Sequence, residues 1–137
     1  MTQMIEVKTA DLIGLALEYA TGVADGRELE LPGAFRGRTT VVWCDPFVIQ
    51  REGRPVFHDK TRRKWQPSTD WSNGGPLIAS HQVNLHSPQT SDDCWAAWVT
   101  IRGKDFCQGG WQPLVAACRA IVAAKLGDVV SVPAELV

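Results

Sequence analysis

The run Pro113–Gly127 restricts this chain to a few folds. Leu114, Ala117, Cys118, Ile121 and Lys125 recur at i, i+3, i+4, i+7 and i+11, which is the stripe of a helix. Pro113 suits a first helical turn, where an N–H would go unpaired anyway, and Gly127 supplies a stop. The spacing predicts a helix over residues 112–126. Its five alanines (116, 117, 120, 123 and 124) carry so little bulk that the helix backbone can lie close against a sheet.

A second helix is predicted over residues 9–22, from the apolar stripe Leu12, Leu15, Ala16, Tyr19, Ala20 and Val23. Thr9 would cap it, and Asp11 suits the positive end of its dipole. Strand patterns surround the two helices. Ile5 and Val7 alternate with polar residues, and Thr39–Cys44 reads as a covered strand. Phe47–Gln50 and Pro55–His58 flank a turn, as a hairpin would. Pro76–Leu85 alternates, Cys94–Arg102 is apolar on both faces as in a central strand, and Val130 with Val132 suggests a terminal edge strand. Lys104–Gly110 reads as a loop. The expected fold is α+β: a single domain over residues 1–137, with two helices packed on a mostly antiparallel or mixed β-sheet.

Trp65–Ile78 departs from these patterns. It holds two of the chain's six tryptophans, two prolines and the pair Gly74–Gly75. Pro67, Gly74, Gly75 and Pro76 argue against a helix, and two indoles argue against disorder. A shaped loop leading into a strand at Leu77 is the expectation, with Ser68 or Asp70 bonding nearby backbone N–H groups. Gly74–Gly75 fits neither a Walker A loop nor a dinucleotide fingerprint, which leaves a turn feeding a strand or an anion nest.

Charge points to the same place. The chain carries a net charge of -1, yet Arg51–Lys64 contains six basic and two acidic residues. A protein that coats nucleic acid over its whole surface is excluded, and so short a block makes no strong case for duplex nucleic acid. A charge run is ordinarily a solvated loop. This one brings Arg62 and Arg63 up to Trp65 and Trp71, the combination that recognises nucleotides: guanidinium for phosphate, indole for base. Candidate ligand-binding residues are therefore Arg62, Arg63, Trp65, Ser68, Asp70, Trp71, Gly74 and Gly75.

Other chemistry is poorly provided for. Cys44, Cys94, Cys107 and Cys118 form no C-x-x-C pair, so structural zinc spacing is absent. With no export signal, reduced thiols are expected. His81 and His86 would face opposite sides of one strand, so no metal or cofactor is expected. Cys107 precedes Gly109–Gly110 and a helix start, where N–H groups could lower its pKa. A base for it would have to come from His58, His81 or His86, and no motif supplies one; enzymatic activity is not the expectation. No apolar run reaches transmembrane length, so no membrane association is expected and a cytoplasmic location is the default.

Three segments in this order resemble the NinX-like family of small phage and prophage proteins: Val7–Ala20 (VKTADLIGLALEYA), Pro67–Ile78 (PSTDWSNGGPLI) and Pro113–Pro133 (PLVAACRAIVAAKLGDVVSVP). The resemblance implies a phage or prophage accessory product acting in the bacterial cytoplasm, and it brings no catalytic residues with it. Two functional readings follow. One is a non-catalytic binder of a nucleotide-like or other anionic small ligand through residues 62–75. The other is an adaptor or inhibitor that docks on a host or phage enzyme through the same segment.

Overall fold

The structure, a computed structural model, describes residues 3–34 and 36–137, with the side chains of all of these except 46–51 and 54–60. At its centre is the alanine-rich helix, which spans Pro113–Leu126 and is called α3 below. Every residue from Leu114 to Ala123 is buried. A helix that is apolar all round must be covered all round, and two core clusters do this. Val115, Cys118 and Val122 pack with Leu12, Ala16, Leu17, Ala20, Val130 and Val132. Ala116, Ala120 and Ile121 pack with Val41, Trp65, Leu77, Ala97 and Val99.

On the first side lie helix α1 (Gly14–Ala24) and a two-stranded antiparallel sheet of β1 (Met4–Lys8) and β8 (Val129–Pro133), in register from Met4↔Pro133 to Lys8↔Val129. The second side carries a three-stranded antiparallel sheet, β5 (Asn84–His86), β6 (Trp95–Ile101) and β7 (Lys104–Gly110), with β6 in the middle as expected. A third antiparallel sheet joins β2 (Leu29–Glu30) to the long ribbon of β3 (Val42–Arg51) and β4 (Arg54–Lys64). Among the described residues the fold is thus α+β, but with three α-helices and three small antiparallel sheets rather than two helices on one sheet.

The additional helix, α2 (Trp71–Ser80), lies where a loop and a strand were expected. Asp70 starts it by accepting from the Ser72 N–H at 2.9 Å, which satisfies a first-turn donor. It stops in a Schellman arrangement: Val83 N–H donates to Ile78 C=O at 2.9 Å, Gln82 N–H to Ala79 C=O at 3.3 Å, and Gln82 adopts φ 52° where glycine is usual. Pro76 removes one helical hydrogen bond, and burial of Leu77 compensates for it. Gly74 is there for close approach rather than for a turn. A Cβ on it would lie 2.3 Å from the Pro67 carbonyl oxygen and 2.7 Å from Leu114 Cδ2 on α3.

Gly→Ala inside a helix ordinarily stabilises by about 0.5–1 kcal/mol. Gly75→Ala should behave so, since its Cβ would meet only Trp71, at 3.9 Å. Gly74→Ala should instead destabilise by about 1–3 kcal/mol through overpacking. Urea midpoints of the two variants check this, and shifts of the same sign would refute the packing of α2 on Pro67 and Leu114.

Two other boundaries moved for local reasons. Thr9 does not cap α1, because its hydroxyl donates to Gly127 C=O at 2.6 Å and its N–H to Asp128 C=O at 2.8 Å. The chain makes a 3-10 turn over Thr9–Asp11 and enters the helix only at Gly14. Lys104–Gly110 is strand β7 rather than a loop. Arg102 and Gly103, at φ 52° and 79°, form a two-residue reversal that folds it back onto β6.

Candidate functional site

Residues 62–75 divide into three structural pieces, which separates the candidate residues. Arg62 and Arg63 lie just before the last residue of β4, Lys64, where strand alternation sends them to opposite faces. Arg62 Nε donates to Glu30 at 2.8 and 3.2 Å, and Arg63 Nε donates to Asp45 at 3.0 Å. They do not converge on one phosphate position. Arg62 and Arg38 hold the Glu30 carboxyl below the usual carboxylate range.

Trp65 is 1% exposed and cannot stack a base from solvent. Its Nε1–H donates to the Glu18 backbone carbonyl at 2.9 Å, and the Arg27 guanidinium lies 4.2 Å from its ring centroid. The same guanidinium lies 3.9 Å from the centroid of Trp43, which meets Trp65 edge to face at 6.0 Å. Asp25 anchors Arg27 at 2.7 Å and also meets His81 Nε2 at 2.7 Å. Sequence reasoning missed this cluster. Arg27 lies in an irregular stretch with no periodic signature, and the two indoles it covers are 16 and 38 residues away along the chain.

Ser68 is also internal. Its N–H donates to Glu18 Oε2 at 3.2 Å, and its hydroxyl donates to Glu18 Oε1. Glu18 is 4% exposed, and burial pushes its carboxyl up to about 7 despite the two bonds from Ser68. Asp70 is exposed; bonds from the Ser72 hydroxyl and N–H hold its carboxyl below the usual range. Its work is capping α2. Gly74 and Gly75 lie within that helix, so the anion-nest alternative is not realised: their N–H groups belong to a helical turn.

Trp71 differs from its neighbours in being 56% exposed, on the first residue of α2. A groove of about 240 Å³ lies beside it, lined by Ser68, Thr69, Trp71, Gln112, Pro113 and Leu114. None of these carries a charge. Trp111, adjacent to Gln112, is 59% exposed, with the Arg119 guanidinium 5.2 Å from its ring centroid. Arg119 is itself buried and fixed, donating to Leu12 C=O and Gly109 C=O at 2.9 Å each. Trp71 therefore stands out from the capped start of α2 beside an uncharged groove, and Trp111 is exposed next to Gln112, one of the residues lining it.

The residues weighed for catalysis sit on separate elements. Cys107 lies on β7 opposite Trp98, His81 follows α2 and contacts Asp25, and His86 is on β5. The side chain of His58 lies outside the described residues. Cys118 is buried in α3, and burial pushes its thiol up to about 12, so it stays protonated and unreactive. Among the described residues, no group of three or more His, Cys, Asp or Glu is arranged to hold a metal ion. No helix among them is long and apolar enough to cross a membrane.

The family model described as bacteriophage P22, NinX matches residues 8–125 of the chain. No curated protein matches it.

Proposed function

We propose, from the premise that this chain belongs to the NinX family of phage proteins, that it is a non-catalytic accessory protein that docks on a host or phage protein in the bacterial cytoplasm. The contact surface would be the groove at the start of α2, with Trp71 as its anchor. The observation carrying this reading is the exposure of Trp71 on a capped helix beside an uncharged groove. A large ring whose backbone is already ordered contributes contact area at small entropic cost, which is why tryptophan is enriched at interface hot spots.

The nucleotide-like ligand is the weaker reading. Of its two candidate stacking rings only Trp71 is accessible, and its two candidate phosphate ligands occupy opposite faces of β4 next to carboxylates. What favours it is that the ion pairs of Arg62 and Arg63 are exposed and easily exchanged.

A photo-crosslinking residue at position 71 should give one defined protein adduct in phage-infected cells, and the same residue at exposed Thr100 should not. Trp71→Ala should abolish recovery of that partner while changing stability by no more than about 0.5 kcal/mol. Identical adduct patterns from both positions would reject the docking surface. Mono-, di- and cyclic nucleotides should leave the thermal midpoint unmoved. A rise of several degrees that Arg63→Ala abolishes would put the small anionic ligand first.

A further inference from the structure

Six of the chain's fourteen basic residues lie in Arg51–Lys64, and the fold puts this block on one two-stranded element. β3 and β4 stay paired from Val42↔Lys64 to Arg51↔Arg54, with one irregularity at Ile49/Gln50. The eleven residues of β4 span roughly 35 Å at about 3.3 Å per residue. Among the described residues, the extended contacts of β3 and β4 are with each other and with the two-residue β2 at the base. Glu52 and Gly53, at φ 55° and 74°, close the tip as a tight reversal, and Arg51 and Arg54 are register partners beside it. The block is an arm rather than a loop.

At the base of the arm, Arg62, Arg63 and Lys64 are exposed. Arg62 and Arg38 converge on Glu30 at 2.8 and 3.4 Å, so two guanidiniums share one carboxylate, and Arg63 meets Asp45 at 3.0 Å. Exposed ion pairs contribute little to stability, so replacing a carboxylate by a phosphate costs little. Arg62 and Lys64 face one side of the ribbon and Arg63 the other. Cations on both sides of a narrow ribbon suit a cleft with anions on both walls better than they suit a small planar ligand.

We propose that the β3–β4 ribbon binds duplex DNA by entering the major groove, with phosphates of both strands beside its two faces. The B-form major groove, about 12 Å wide, admits a two-stranded ribbon. The deep, narrow major groove of A-form RNA does not. The sequence made no strong case for duplex nucleic acid because the block looked short and local. Spread along an arm, the same charges reach many phosphates while the rest of the slightly acidic chain stays clear. Affinity of this kind is set by phosphate neutralisation and is largely independent of sequence.

The full chain is titrated into a fluorescein-labelled mixed-sequence duplex of about 20 base pairs and read by anisotropy, at about 50 and about 200 mM NaCl. Four to six phosphate contacts predict saturable binding that weakens by about 10²–10³-fold between the two salts. Arg54→Ala with Lys60→Ala should weaken low-salt binding by about tenfold or more and remove about two contacts from the salt slope. Arg54→Lys with Lys60→Arg should keep affinity within about twofold, since charge rather than shape is the requirement. Lys8→Ala with Lys125→Ala loses the same charge away from the ribbon and should change neither quantity. Trp71→Ala should bind DNA like the parent, which separates this proposal from the protein-docking reading. The parent's salt slope needs no variant, so a pair that failed to fold would not remove the test. Three results would each overturn the proposal: no saturable binding at low salt, an equal loss in the Lys8/Lys125 pair, or tighter binding to RNA of the same length.

Discussion

Trp65→Ala should cost about 3–5 kcal/mol, the largest loss expected from any single truncation in this chain. The ring is 1% exposed and belongs to the cluster on the sheet side of α3. Its removal would leave a cavity bounded by Val41, Leu77 and Trp43, a space too well braced by α3 to collapse. Arg27 would lose one of its two aromatic faces as well. Trp65→Phe separates the contributions, because it keeps an aromatic ring but removes the N–H donated to Glu18; about 1–2 kcal/mol is the expected cost. Gly22 belongs to the same fit, since a Cβ there would lie 2.9 Å from Trp65 Nε1 and 2.6 Å from Leu29 Cδ1. Urea titration with an unchanged m-value is the measurement. A loss below about 1 kcal/mol for the alanine variant would mean that the indole is not a core element.

Stability should also fall as pH rises from about 4.5 to about 7, and the cause is Glu18. Its carboxyl is raised from 4.5 to about 7 in the fold, burial being the larger influence and the Ser68 bonds opposing it. A folded-state value above the unfolded one means that the native chain holds the proton more tightly. The associated stability is therefore complete below the unfolded value and lost as pH climbs through the folded one. At about 1.4 kcal/mol per pH unit, the span comes to about 3 kcal/mol. Glu18→Gln should flatten that slope and, at pH 8, exceed the parent in stability by about 1–3 kcal/mol, because the amide oxygen still accepts from Ser68 without a charge to desolvate. Glu30, Asp70 and Asp93 work in the opposite sense. Their carboxyls are depressed, so their contributions are lost only as pH falls below the ordinary carboxylate range. Urea midpoints for parent and variant between pH 5 and 8 decide the matter, and parallel curves would exclude Glu18 as the source.

The helix α3 and the strands β1, β6 and β8 were legible because periodicity and β-branching act locally and agree with the packing there, whereas the pairing of β1 with β8 was not. Helix α2 was not. Its cap residue, Asp70, was visible, but Gly74, Gly75 and Pro76 carry poor intrinsic helix propensity. What overrides it is tertiary: Gly74 must be small because Pro67 and Leu114 are close, and no local pattern records that. The candidate site was hard to read for a related reason. A buried and an exposed tryptophan look alike in sequence, and adjacent arginines look like a pair until a strand sends them to opposite sides. Trp71 is exposed, whereas Trp65 has its surface claimed by Arg27 and Glu18, residues far from it in the chain.

Helix α3 is a party wall: it closes one core on each side and owns neither. Neither compartment can open without wetting residues that the other also needs, so the two gain and lose order together. A defect introduced beside Val132 is felt beside Ala97, although β8 and β6 belong to different sheets. The ribbon of β3 and β4 joins this shared enclosure at its base, where Trp43 packs against the sheet-side core, while its extended strand contacts are internal and with β2.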